Sequence, residues 1–100
     1  MKEKDFIIES INELVKKFAN TRVRYENHKL SNTHFVEVVP SIVYHVNEKY
    51  REWEENIISL FIEKFPNQNI CFISDDAMVG IENVEYEAKG LLYELSFSFD

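Results

Sequence analysis

The chain has 100 residues and a formal net charge of −7, with 45% hydrophobic and 14% aromatic residues. This composition predicts a single compact domain over residues 1–100 with its own apolar core, and it excludes a disordered chain. The acids concentrate in residues 47–100, which hold twelve acidic and four basic side chains, so no direct binding of nucleic acid is expected.

The sequence also bears on the compartment. No apolar run reaches the roughly 18 to 20 residues of a membrane span, and the amino-terminal residues lack the apolar core of a signal peptide. Cys71 is the only cysteine, so an internal disulfide is impossible and an oxidising compartment gains no support. We therefore expect a cytoplasmic protein with no membrane contact.

The first predicted element is a helix from about Asp5 to Phe18, with Asp5 as its N-cap. Lys16 and Lys17 stand in its last turn, where cations favour the carbonyl end of a helix. Its apolar side chains recur at spacings of three and four, as a core-facing helix requires; they are Ile7, Ile8, Ile11, Leu14, Val15 and Phe18.

Residues 22–39 predict a β-hairpin that turns at Ser31–Asn32 and pairs Tyr25 with Val38. Ser-Asn is not a favoured two-residue turn, so a longer loop is the alternative. With this register Glu26 faces Glu37, a repulsion that Arg24 would relieve. One face then carries Val23, Tyr25, Val36 and Val38. The other carries Arg22, Arg24, Glu26, His28, Phe35 and Glu37.

The widest apolar face belongs to a long helix predicted over residues 47–65. Asn47 is expected to cap it and Pro66 to end it. Residues 40–46 before it are either extended or an early helical turn. The helix buries side chains that also recur at spacings of three and four; they are Tyr50, Trp53, Ile57, Leu60, Phe61 and Phe65.

Three segments follow the long helix. Asn69–Ser74 is nearly continuous in apolar residues and predicts a strand inside the sheet. Residues 75–90 are irregular, with alternation at Val84, Tyr86 and Ala88 that indicates a short strand. Leu91–Phe99 alternates cleanly and predicts a strand that lies either at a sheet edge or in the centre with a neighbour on each side.

Together these elements predict an α+β fold in the order α-β-β-α-β-β. Its antiparallel sheet of four or five strands has two helices packed on one face, and its other face is largely solvated. The element order and acidic character resemble those of the small dimeric chaperones of bacterial type III secretion. This likeness involves no shared motif, and it implies a secretion-chaperone-like role as one alternative.

No motif for catalysis or cofactor binding occurs in the sequence. Three histidines (His28, His34, His45) and Cys71 could in principle bind a metal, but the predicted register puts His28 and His34 on opposite faces, and the others lie in separate elements. Cys71 stands in an apolar strand, where burial makes a thiol inert. We therefore expect no enzyme activity, no cofactor, no metal site and no catalytic residue.

The leading prediction is a small acidic protein-interaction domain that binds a protein partner or a second copy of itself as a homodimer. One predicted contact surface is the solvated sheet face, with Arg22, Arg24, His28, Phe35, Glu37, Glu94, Ser96 and Ser98. The other is an acidic loop with Asp75, Asp76, Glu82, Glu85 and Glu87.

Two further alternatives assign other roles to the acidic side chains of residues 47–100. An acidic inhibitor, such as an antitoxin, an immunity protein or a DNA mimic, would bind a basic partner. A small-ligand or cation-binding domain would use the 75–90 loop, and it requires a pocket where several polar groups converge; the candidates are His45, Asp75, Asp76, Glu82 and Tyr86.

Overall fold

The computed structural model describes residues 2–93, and within them the chain forms an α+β fold with three helices and a four-stranded mixed sheet. The elements are α1 (Glu3–Lys17), β1 (Arg22–His28), β2 (Thr33–Val39), α2 (Ser41–Val46), α3 (Glu48–Lys64), β3 (Asn69–Ile73) and β4 (Tyr86–Lys89). The strand order is β3-β2-β1-β4. The predicted α+β class is confirmed, but the prediction of a wholly antiparallel sheet is wrong.

Most of the strand predicted over Leu91–Phe99, residues 94–99, lies outside the described residues. Residues 91–93 form a turn instead of the start of a strand. The short strand predicted around Tyr86 and Ala88 is confirmed as β4, which pairs antiparallel with β1.

Helix α1 begins earlier than predicted, because Lys2 and not Asp5 occupies the N-cap position. Asp5 lies in the first turn, where its negative charge still favours the positive end of the helix dipole. Phe6 joins the predicted apolar face and is buried, whereas Ile8 remains partly exposed.

The β1–β2 hairpin has the predicted faces but a different register. Tyr25 pairs with Val36 instead of Val38, and the connection is a four-residue loop, residues 29–32. Asn32 takes a positive φ of 51°, which asparagine tolerates better than most residues. Because the register shifts by two positions, each side chain keeps its predicted face.

The shift changes which charges face each other across the hairpin. Arg24 pairs with Glu37, and Glu26 pairs with Phe35. The predicted repulsion between Glu26 and Glu37 is therefore wrong, and an attraction between opposite charges replaces it.

A short helix and the long one follow the hairpin. Residues 41–46 are helical, which decides the alternative left open by the sequence. Asn47 caps α3 as predicted, since its side chain accepts a hydrogen bond of 3.0 Å from the Tyr50 backbone N–H. Leu60, predicted to be buried, is 37% exposed.

Strand β3 is parallel to β2 and lies at one edge of the sheet that residues 2–93 form. The prediction that this strand lies in the interior of the sheet is therefore wrong for the described residues. The Asn69 N–H donates to the Asn32 carbonyl, so alternate residues of β3 direct their backbone groups toward β2. Ile70 and Phe72 therefore direct their backbone N–H and carbonyl groups to the outer side of β3. There the Phe72 carbonyl accepts a hydrogen bond of 2.7 Å from the Tyr44 hydroxyl.

One face of the sheet forms the core with α1 and α3. Tyr25, Tyr50 and Phe61 are completely buried, and Trp53 is only 6% exposed. The Trp53 ring contacts Phe72 edge-on, with 6.1 Å between ring centroids. The predicted packing of the two helices on one sheet face is therefore confirmed for the described residues.

Gly90 stands where β4 ends against the segment that leaves α1. Its N–H donates to the Thr21 carbonyl at 2.8 Å, and the neighbouring Leu92 N–H donates to the Ala19 carbonyl at 2.9 Å. A β-carbon added at Gly90 would lie 2.0 Å from the Ala19 carbonyl oxygen. Only glycine permits this close approach of two backbone segments.

We expect Gly90→Ala to lower the free energy of unfolding by about 1–3 kcal/mol, the usual cost of overpacking, because the Ala19 backbone must shift. Gly80→Ala is the matched control, since a β-carbon there meets nothing within 4 Å. Urea denaturation of both variants measures the difference. Equal stability of the two variants would contradict this account of Gly90.

Candidate functional site

The sheet face opposite the helices, called here the open face, brings together the predicted contact residues that are described. Alternate positions on β1 and β2 direct their side chains to it; they are Arg22, Arg24, His28, Phe35 and Glu37. The other three predicted residues, Glu94, Ser96 and Ser98, lie outside the described residues.

Two ion pairs cross the open face. Arg22 Nη2 lies 3.3 Å from Glu37 Oε1, and Arg24 Nε donates to Glu87 Oε1 at 2.7 Å. The hydrogen bond from Arg24 lowers the pKa of the Glu87 carboxyl. Glu37 is only 9% exposed, so the prediction of a largely solvated face is wrong in this part.

Tyr93 covers the Arg22 end of the open face. The guanidinium carbon of Arg22 lies 5.9 Å from the centroid of the Tyr93 ring, within the range of a cation–π interaction. Among the described residues, the buried Nε of Arg22 has no hydrogen-bond partner. The aromatic ring and Glu37 therefore hold this arginine on the sheet.

Residues 74–85, called here the connector, lead from β3 at one edge of the sheet to β4 at the other. At its beginning the Ser74 hydroxyl donates to the Val38 carbonyl at 2.7 Å. Asp76 Oδ2 then lies 2.8 Å from His45 Nε2 of α2, in a hydrogen bond between two side chains that are about half exposed. These contacts hold the first part of the connector beside the carboxyl end of β2.

The far end of the connector is held by β1. The Glu82 N–H donates to Glu26 Oε1 at 2.9 Å, and the Asn27 N–H donates to Glu85 Oε2 at 2.6 Å. The Glu85 N–H donates to the Tyr25 carbonyl at 2.8 Å, where pairing with β4 begins. Since Glu26 is on the open face, the connector crosses that face.

The middle of the connector exposes apolar side chains. Met78 is fully exposed, with 103% of its reference accessibility, and Val79 is 65% exposed. Beneath them lies a cavity of about 60 Å³ between the connector and the sheet. Its lining combines both parts: Glu26, His28, Phe35, Val79, Gly80 and Glu82. The connector is thus held at both ends, while Met78 and Val79 in its middle are exposed to solvent.

The five carboxylates of the predicted acidic loop are exposed but do not converge. Asp76 pairs with His45, Glu85 with Lys4 at 3.3 Å, and Glu87 with Arg24. Residues 2–93 contain no group of three or more His, Cys, Asp or Glu side chains that could hold a metal ion. The Tyr86 hydroxyl donates to Asn12 of α1, away from the connector.

Cys71 lies on the open face beside Phe35 in the register and is partly exposed. Burial raises the pKa of the Cys71 thiol, with a smaller contribution from the negative charge of Glu54. Little thiolate is therefore present near neutral pH, so Cys71 is a weak nucleophile.

A groove of about 480 Å³ between α1 and β4 was not predicted from the sequence. Its lining is mainly apolar with two lysines, and consists of Asn12, Val15, Lys16, Ala19, Ala88, Lys89, Gly90 and Leu91. Leu91 is 92% exposed at its end. The sequence could not indicate this groove because the pairing of β4 with β1 creates it.

The sequence also failed to predict a buried polar chain on the core face. His34 is 2% exposed, and its Nδ1 lies 2.7 Å from the Tyr25 hydroxyl while its Nε2 lies 2.8 Å from Gln68 Oε1. An amide oxygen only accepts, so Nε2 carries the proton and Nδ1 accepts from Tyr25. The strand alternation was the available signal, since it places His34 on the same face as Val36.

Comparisons with known proteins give no relative: no family model, no curated protein and no solved structure matches the chain. Within the described part of the chain, no helix combines the length and the apolar character needed to cross a bilayer.

We expect Tyr25→Phe to lower the free energy of unfolding by about 1–3 kcal/mol, because it leaves the buried Nδ1 of His34 without a donor. Tyr86→Phe is the matched control: its hydroxyl bonds the half-buried Asn12, which water can reach, so the loss should be smaller. Urea denaturation at neutral pH compares the two. Equal losses would show that the contact between Tyr25 and His34 does not stabilise the core.

Proposed function

We propose that this protein is a small, acidic, non-catalytic interaction domain of the cytoplasm, and that the connector is the segment that contacts its partner. The observation that carries the proposal is the exposed pair Met78 and Val79 within an acidic segment. Residues 65–88 contain five acidic side chains and no lysine or arginine.

The arrangement suits binding for two physical reasons. Burial of the Met78 and Val79 side chains against a partner would remove apolar surface from water, which favours association. Methionine is flexible and polarisable, and so adapts to an apolar pocket.

The side chains of the connector also indicate what kind of partner surface would fit it. An apolar tip among carboxylates fits an apolar pocket bordered by lysine or arginine, and opposite charges accelerate association. The second candidate function is inhibition of a basic enzyme, and that enzyme would be the partner with such a pocket. The same acidic segment favours it, and its complex should weaken steeply as the salt concentration rises.

Affinity capture from the native host, followed by mass spectrometry, tests the contact surface. We expect Met78→Glu to lose the captured partner, because the substitution places a charge where an apolar group is buried. Leu30→Glu should retain it, since Leu30 is 95% exposed in the β1–β2 loop, outside the connector. Capture of the same protein by wild type and Met78→Glu alike would exclude the connector as the contact.

We also propose that the protein forms a homodimer. Leu91 and Leu92 support this proposal, because they are 92% and 51% exposed beside the apolar groove between α1 and β4. Sedimentation equilibrium at tens of micromolar protein should give twice the chain mass of 11.9 kDa. Leu91→Asp should then sediment as a monomer, whereas a monomeric wild type would contradict the proposal.

A further inference from the structure

We propose that the connector is a strap that opens in the folded protein and uncovers Phe35 on the open face. This inference deepens the proposed function, on which its biological role rests, because a strap would control access to part of the contact surface. The opening itself is a property of the isolated chain, and its test requires no partner.

The contacts that hold the strap closed are confined to its two ends. At one end Asp76 bonds His45, and at the other Glu26 accepts from the Glu82 N–H. Between these points Met78 and Val79 are exposed, a β-carbon at Gly80 would meet nothing within 4 Å, and Ala77 and Ile81 are only partly buried. Segments with so little burial open at a small free-energy cost.

The packing beneath the strap is also incomplete. A cavity of about 60 Å³ separates Val79 and Gly80 from Phe35 and His28. Across this cavity the strap and the sheet are not in direct contact, so closure gains fewer dispersion contacts between protein atoms. The closed state thus depends mainly on the hydrogen bonds at the ends.

The charges around the far end do not favour closure strongly. Glu26 and Glu85 bring two carboxylates to neighbouring positions of β1, because Glu85 bonds the Asn27 N–H. Lys4 is the cation that contacts Glu85, at 3.3 Å and with half of its side chain exposed. A surface ion pair of this kind contributes little to the free energy that keeps the strap closed. The hydrogen bonds from backbone N–H groups are therefore the main restraint on its far end.

Opening would expose more of Phe35, which is partly buried beneath the strap, beside His28, which is already exposed. Phe35 and His28 contact each other edge-on, with 6.3 Å between ring centroids. The Arg22 end keeps its cover, because Tyr93 follows β4 in the chain and is not part of the strap. A partner that binds Met78 and Val79 more tightly in the open state would shift the strap toward opening.

Hydrogen exchange followed by NMR tests the opening in the wild-type chain. The Glu82 N–H should exchange much faster than the N–H groups of the central strand β2, because it is released by a local motion. Glu26→Ala removes its acceptor and should accelerate the exchange of Glu82 by a further factor of about two to ten. Glu9→Ala, which removes an exposed carboxylate on α1, is the matched control and should change neither rate.

A thiol probe tests whether opening uncovers the sheet. In a Cys71→Ser background, the thiol introduced by Phe35→Cys should react with a disulfide reagent several-fold faster when Glu26→Ala is added, and at an unchanged rate with Glu9→Ala. The proposal would be overturned if the Glu82 N–H exchanged only together with the N–H groups of β2. It would also be overturned if Glu26→Ala left the reaction rate of the introduced thiol unchanged. The exchange measurement decides alone if the Phe35→Cys chain does not fold.

Discussion

Burial of one sheet face beneath α1 and α3 is the constraint from which the other features follow. Val23, Tyr25, Val36 and Val38 can face the helices only if the intervening positions face the opposite side, because side chains alternate along a strand. The same alternation places His34 in the core, where Tyr25 and Gln68 satisfy both of its ring nitrogens. The core face therefore determines which charges and aromatic rings are left for contact.

The sequence predicts the faces of the elements better than their partners. The pattern from Tyr25 to Val38 tolerates a register shift of two positions without moving any side chain to the other face, so the faces were predicted correctly with the wrong pairs. Strand β3 was placed wrongly because an apolar run cannot distinguish an edge from an interior position. The order β2-α2-α3-β3 does indicate the parallel pairing, since strands joined through helices commonly pair in parallel.

The position of the connector follows from the strand order. Because β3 and β4 lie at opposite sides of the sheet, the chain between them must pass over β1 and β2. The helices already occupy the core face, so the open face is the route that remains. No pattern within residues 74–85 could have revealed this, since the path depends on where the two strands pair. The crossing turns an acidic loop into a cover for Phe35.

The hydroxyl of Tyr44 has a consequence for assembly. It occupies the Phe72 carbonyl on the outward side of β3, so an incoming strand would find the backbone groups of Ile70 and the Phe72 N–H, too short a template for a stable ladder. A sheet that cannot grow from one of its sides cannot propagate by repeated strand addition. Within residues 2–93, the outward side of β3 is therefore a poor edge for the strand addition by which fibrils grow.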